Sequence, residues 1–299
     1  MKQFHGVMPA IITPMSADGS LDEALYRQVM ERNIELGVHG FWVAGGTGES
    51  VHLDDEENMR IAEIAADQAR GRVLNILHVG TPSTRRSIKL AEHAAKVGID
   101  AICCVPPMFY PPTHEEVVAH YAAVAAAAGL PFFVYNLPQC TGVEITVELM
   151  SRIQDAVPEL QGLKHSALTV ANIREFRKMG LQAMVGNSTL MLPALSIGAS
   201  GCIDGPPNIA PERWVDIWNA WQNNDLQAAQ TAQERASDLT MLIRQFGLQA
   251  GCKFSVSHRL GVDCGAPRGP LLGLESTRQA ELTQRLESIG IAANSWALD

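Results

Sequence analysis

Residues 73–134 read VLNILHVGTPSTRRSIKLAEHAAKVGIDAICCVPPMFYPPTHEEVVAHYAAVAAAAGLPFFV, and they hold the same unit twice. An apolar run at 73–80 passes through a polar turn into an amphipathic stretch at 82–97, which stops at Gly98. A second run, AICCVPP from Ala101, leads into a second amphipathic stretch at 113–128, which stops at Gly129. Thr113 with Glu116 three residues later is a capping-box pattern, and a glycine just past a helix suits the left-handed residue that closes it. The next apolar run, PFFVYNL, begins at Pro131. Strands that are apolar throughout, alternating with helices, predict a parallel sheet covered on both faces.

The rhythm continues in both directions. Apolar runs start at Gly6, Gly40, Val73, Ala101, Pro131, Leu160, Gln182 and Gly201, separated by 34, 33, 28, 30, 29, 22 and 19 residues. A βα unit takes roughly 30 residues. Further amphipathic stretches lie at 21–36, 54–70 and 211–222. Eight such units close most economically as an α/β fold of the (β/α)8 TIM-barrel type. The rival, a doubly wound open sheet, would usually carry GxGxxG after its first strand, where this chain has TPMSADG. Beyond Asn224 the strand signal ends, and 225–246, 249–260 and 277–289 read as helices. The expected organisation is a barrel at 1–224 and a C-terminal helical extension at 225–299.

Composition narrows the function classes. With 46% hydrophobic and 18% charged residues, the chain has enough apolar surface to form a core, which excludes disorder. Its 23 basic against 32 acidic residues leave a net charge of −9, which disfavours nucleic acid as a partner. The densest basic cluster, Arg85, Arg86 and Lys89, fits an exposed helix face. The longest apolar stretch, 121–134, is broken by Gly129 and Pro131 and falls short of the ~20 residues that span a membrane. Pro9 and Pro14 interrupt any signal-like core at the start, so a cytosolic protein is expected. Six cysteines without a CxxC pair point to reduced thiols, and nine histidines without HExxH point to no metal. His78 and His165 read as structural.

Catalytic groups of a barrel gather at the C-terminal ends of its strands. There the chain has GGTGES at 45–50, YNLP at 135–138 and GLKHS at 162–166. Lys164 lies in an apolar run, where loss of water disfavours the ammonium form and leaves an amine able to attack a carbonyl. On position alone, a lysine snorkelling to the rim fits as well. Tyr135 is on the neighbouring strand, about 4.8 Å away, so its phenol could relay protons there, or simply sit in water as a rim aromatic. The glycine-rich turn offers backbone N–H groups and the Thr47 hydroxyl to an anion.

Taken together, GGTGE at 45–49, YNLPQCTG at 135–142, GLK at 162–164 and GCIDGPPNIAPE at 201–212 resemble the dihydrodipicolinate synthase / N-acetylneuraminate lyase superfamily. The resemblance implies a homotetrameric class I aldolase that needs no cofactor beyond a covalent imine on Lys164. It matches Tyr135 to the general acid/base, and Gly46 and Thr47 to the pair holding the carboxylate of a 2-keto acid such as pyruvate. Ile203 matches a wall residue near that carboxylate, and Glu49 a turn-stabilising position.

The departures from the family pattern bear on substrate. Gly46 stands where synthases carry the first of two hydroxyl residues, which cuts a relay to the tyrosine. Phe109 aligns with the relay tyrosine usually donated by a neighbouring subunit, and Tyr110 follows it. Cys140 replaces the arginine that grips the aldehyde partner's carboxylate, and a thiol cannot make that bidentate contact. Asn187-Ser188-Thr189 replaces the acidic pair of sialic-acid lyases. Met108, Phe109, Cys140, Pro206 and Pro207 are expected to line an apolar tail pocket, with Asn187, Ser188 and Asp204 as polar contacts. The leading expectation is cleavage or dehydration of a 2-keto acid such as a 2-keto-3-deoxy sugar acid. The alternatives are 4-hydroxy-tetrahydrodipicolinate synthase and a non-catalytic 2-keto-acid-binding protein.

Overall fold

Eight parallel strands coincide with the eight apolar runs. They are β1 (Gly6–Val7), β2 (Gly40–Val43), β3 (Leu74–His78), β4 (Ala101–Cys104), β5 (Phe132–Asn136), β6 (Leu160–His165), β7 (Gln182–Val185) and β8 (Gly201–Cys202). Neighbours run β1-β8-β7-β6-β5-β4-β3-β2, and a parallel bridge between Ala10 and Trp42 joins the two ends into a (β/α)8 barrel. The structure is a computed structural model and describes residues 2–296. β1 is short because Pro9 has no N–H for the ladder. The pairing resumes past it, with Ala10 N–H donating to Asp204 O (2.8 Å) and Ile11 N–H to Trp42 O (3.1 Å).

Successive strand residues point to opposite faces, which explains why the runs are apolar throughout. Phe133 and Tyr135 point inward and pack with Trp42, Ile76, Met184 and Ile203. Phe132 and Val134 point outward, under the helices. Those helices are α1 (Glu23–Glu35), α2 (Asp55–Ala69), α3 (Thr84–Val97), α4 (His114–Ala128), α5 (Pro138–Thr141), α6 (Val147–Ala156), α7 (Asn172–Lys178), α8 (Met191–Ser196) and α9 (Pro211–Gln222). The capping box of Thr113 and Glu116 forms, and Gly98 and Gly129 close α3 and α4 at φ 85 and φ 60. Periodicity assigns no helix at α5 to α8. They have 4, 10, 7 and 6 residues, too few to repeat an apolar stripe convincingly.

The tail consists of α10 (Leu226–Arg244), α11 (Leu248–Leu260) and α12 (Ser276–Ser288). α10 packs along α9, and the rest is tied to the barrel by buried cations. Arg259 donates to Ile209 O (2.8 Å) and pairs with Glu212 (2.8 Å). Arg213 donates to Arg235 O (2.7 Å) and to Ile289 O. Hydrogen bonds to guanidinium groups are stronger than neutral ones, so these contacts orient the tail as well as attach it. Among the described residues no helix is long and apolar enough to cross a membrane.

Candidate active site

The parallel register of β5 and β6 sets Tyr135 directly beside Lys164. Strand alternation turns both side chains into the barrel. Lys164 is only 4% exposed, and its Nζ lies 4.4 Å from the centre of the Tyr135 ring and 5.2 Å from that of Trp42. The two rings meet edge to face at 5.3 Å. Among the described residues no carboxylate pairs with Lys164, so the amine rests on π faces alone. His78 stands edge-on to Tyr135 at 6.1 Å, and Ser50 Oγ lies 3.3 Å from its Nδ1. Burial pushes the His78 pKa down to about 4, and nearby Lys164 acts in the same direction, so this imidazole is neutral at pH 7. His165 faces the other way, against Phe176, with its ring nitrogens 3.2 Å from Asn136 Nδ2 and 3.0 Å from Thr169 O.

The turn after β2 presents hydrogen-bond donors to the cavity. No protein acceptor among the described residues meets the backbone N–H of Gly46 or Thr47, and the Thr47 hydroxyl is likewise without a protein partner. Gly45 is required by close approach, because a Cβ there would sit 2.6 Å from the Trp42 indole. At Gly46 a Cβ would meet nothing within 4 Å. The absence of a hydroxyl at 46 is therefore not forced by lack of space. Glu49, in a left-handed conformation (φ 62), ends the turn with a buried carboxylate. It pairs with Lys253 Nζ of α11 at 2.9 Å and accepts the Arg268 N–H at 2.5 Å. Gln249 donates to Gly46 O at 3.2 Å. The turn is thus held from the tail, with Glu49 serving as support.

Gly46, Thr47, Tyr135 and Lys164 border one cavity of about 490 Å³, shared with Cys140, Asn187, Asp204, Arg244 and Gln249. Cys140 is an exposed free thiol on α5. Asp204 accepts Ser188 N–H (2.9 Å) and Gly205 N–H (2.8 Å), joining the loops after β7 and β8. Asn187 Oδ1 accepts from the Thr189 hydroxyl (2.8 Å) and from Arg244 (2.8 Å). Ile203 is fully buried in the barrel interior with Tyr135, behind the cavity.

Other expected lining residues lie elsewhere. Phe109 and Tyr110 are 86% and 79% exposed on the loop after β4, pack on each other at 5.0 Å, and do not border the Lys164 cavity. Phe109 takes a left-handed conformation (φ 83), and the relay contact expected of this pair is one to a neighbouring subunit. Met108 borders a separate small cavity with His78 and Ser50, and Pro206 and Pro207 are buried in a 3-10 turn.

Sequence reasoning did not single out Trp42, Arg244, Gln249 or Lys253. The inward position of Trp42 was available from strand alternation. The three tail residues sit on amphipathic helices, where a polar side chain reads as solvated, and only docking brings Arg244 and Gln249 to the cavity and Lys253 to Glu49. Among the described residues no three His, Cys, Asp or Glu side chains are grouped to hold a metal ion.

Comparison with known proteins agrees with this geometry. Residues 3–289 match the dihydrodipicolinate synthetase family. The chain is 34% identical to a 4-hydroxy-tetrahydrodipicolinate synthase of Phenylobacterium zucineum, over 96% of this chain and 98% of that one. It is 32% identical to an uncharacterized DapA-like lyase of Halobacterium salinarum, over 96% and 94%. YagE, a prophage protein of the dihydrodipicolinic acid synthase family from E. coli K12 solved with pyruvate, superposes at TM-score 0.92 with 25% identity, over 97% of this chain and 100% of that one. Since the match begins before β1 and ends beyond α12, the chain belongs to the dihydrodipicolinate synthetase family and is a lyase of that type.

Proposed function

We propose that this lyase captures a 2-keto acid as an imine on Lys164 and breaks, or in reverse forms, the C3–C4 bond, with pyruvate as the enamine-derived product. The observation that carries the reading is the buried Lys164 amine, 4.4 Å from the Tyr135 ring and in one cavity with the Gly46–Thr47 turn. Two free N–H groups and a hydroxyl suit the substrate carboxylate, which places the ketone toward Lys164. The protonated imine accepts the electron pair of the broken bond, so the covalent link itself takes the place of a cofactor. Tyr135 is the proton carrier in this scheme, because its phenol has no protein hydrogen-bond partner among the described residues and faces the cavity. His78, neutral and buried beneath, serves as packing support.

Dehydration of a 3-deoxy-2-keto acid uses the same imine. The synthase reading is favoured by the names of relatives such as the P. zucineum enzyme and opposed by Cys140, an uncharged residue at the cavity rim. The retained Lys164 and Tyr135 weigh against a purely binding role. We take the enzyme to be a cytosolic homotetramer, and the exposed Phe109–Tyr110 pair supports the assembly. A screen of 2-keto acids for pyruvate release, beside a coupled assay with pyruvate and aspartate semialdehyde, tests the reading. Release from a hydroxylated 2-keto acid at rates above condensation is expected. Efficient condensation with no cleavage would transfer the assignment to the synthase.

A further inference from the structure

Trp42 lies against three parts of the site at once. Its backbone closes the barrel, with N–H donating to Pro9 O (2.9 Å) and O accepting from Ile11 N–H (3.1 Å), so the side chain starts from a fixed point. The indole is fully buried in the barrel interior. Its ring centre is 5.2 Å from Lys164 Nζ, and it meets the Tyr135 ring edge to face at 5.3 Å. A Cβ at Gly45 would fall 2.6 Å from the indole Cδ1 and Nε1, so the edge of the five-membered ring rests against the turn that leads to Gly46 and Thr47. Packing alone does not call for tryptophan here. The indole Nε1 is buried with no hydrogen-bond partner among the described residues, and a stranded donor costs stability. Trp214, equally buried, donates its Nε1–H to Ser188 O at 3.2 Å. Phenylalanine or leucine would fill position 42 without a donor to strand. Tryptophan adds the strongest π face for a cation and an edge that reaches Gly45.

We infer that Trp42 is a positioning residue for imine capture. Its face holds the Lys164 nitrogen in place, and its edge sets the turn that carries Gly46 and Thr47 at a fixed distance from that nitrogen. The inference rests on the imine chemistry proposed above. Lysine has a long, flexible stem, and in this site no carboxylate anchors its end. A carboxylate would hold the nitrogen more firmly, but it would also neutralise the positive imine that must draw electrons from the substrate. A ring face holds the charge without cancelling it. The substrate carboxylate meets the turn while its ketone meets Lys164, so a single rigid side chain touching both keeps the two contacts in register. A misplacement of about 1 Å between such groups can cost on the order of 10²-fold in rate.

The test follows capture of pyruvate by the wild type, W42F and W42L, through the rate of borohydride trapping against pyruvate concentration and through tryptophan fluorescence. W42F keeps a ring face and loses the edge at Gly45. Its half-saturating pyruvate concentration should rise about tenfold while the saturating rate stays within about threefold of wild type. W42L loses the face as well, and its saturating rate should fall about 30-fold. Pyruvate should quench the wild-type emission, because Trp42 is the tryptophan beside Lys164, and the quench should vanish in W42F. Thermal melting checks that the variants fold; should W42L not fold, the W42F titration and its fluorescence decide the matter. Equal saturating rates in W42F and W42L, an unchanged half-saturation in W42F, or a quench that survives in W42F would overturn the inference while leaving the lyase reading intact. Failure of the wild type to form a trapped pyruvate adduct would overturn both.

Discussion

Replacing Lys253 with methionine would strand a carboxylate inside the protein. The Lys253 and Glu49 side chains are 1% and 0% exposed and meet at 2.9 Å. Burial holds the Lys253 pKa below the ordinary lysine range, and the Glu49 charge pulls it back up. With Lys253 gone, the Arg268 N–H is the one close partner left to the Glu49 carboxylate among the described residues. Removing one member of a buried pair typically costs about 3–5 kcal/mol, because the remaining charge has lost both water and counter-ion. At roughly 2 °C per kcal/mol for a chain of this size, K253M should melt on the order of 10 °C lower. The double variant E49Q/K253M leaves no charge behind and should recover most of the loss. Urea denaturation of the wild type, both single variants and the double completes the cycle, with a coupling of at least ~2 kcal/mol expected. K253M should also raise KM for a 2-keto acid, because Glu49 closes the turn that carries Gly46 and Thr47. A K253M protein within about 1 kcal/mol of wild type, or additive losses in the double variant, would refute the reasoning.

Y135F should lower kcat by about 10²–10⁴-fold while a borohydride-trapped imine still forms, and turnover within tenfold of wild type would remove Tyr135 from proton transfer. G46T should fold with stability within about 0.5 kcal/mol of wild type, since its side chain enters open space; a larger loss in thermal melting would contradict the cavity geometry. His78 titrates near 4 in the native state and near 6.5 when unfolded, so the unfolded chain binds the extra proton between those values and stability falls as pH drops through that window. Moving from pH 7 to pH 4.5 should cost the wild type about 2 kcal/mol more than H78N in urea denaturation, and equal pH dependence would show that His78 is not held neutral.

What the sequence disclosed followed from local patterning. The eight strands were legible because both faces of each are buried, which leaves unbroken apolar runs such as PFFVYNL. The pairing of Tyr135 with Lys164 follows from their adjacent strands, and the outward turn of His165 from alternation. Glu49 was legible as a support but not its partner, since Lys253 lies 204 positions later on a helix with no visible link to the turn. Arg244 was hidden for the same reason, because the division at 224 separates in sequence what packing reunites. Phe109 and Tyr110 were read by alignment as reaching the substrate of a neighbouring subunit, and in the single chain they stand exposed on the loop after β4, a loop direction that no local pattern encodes. The short helices α5 to α8 lacked the length on which periodicity depends.

Incubation of the folded protein with pyruvate and borohydride, followed by peptide mass spectrometry, tests the central claim most directly. A reduced pyruvyl adduct should appear on the peptide containing Lys164, reach one per chain, and be absent from K164M. An unmodified Lys164 in folded protein, or an adduct confined to other lysines, would contradict the account.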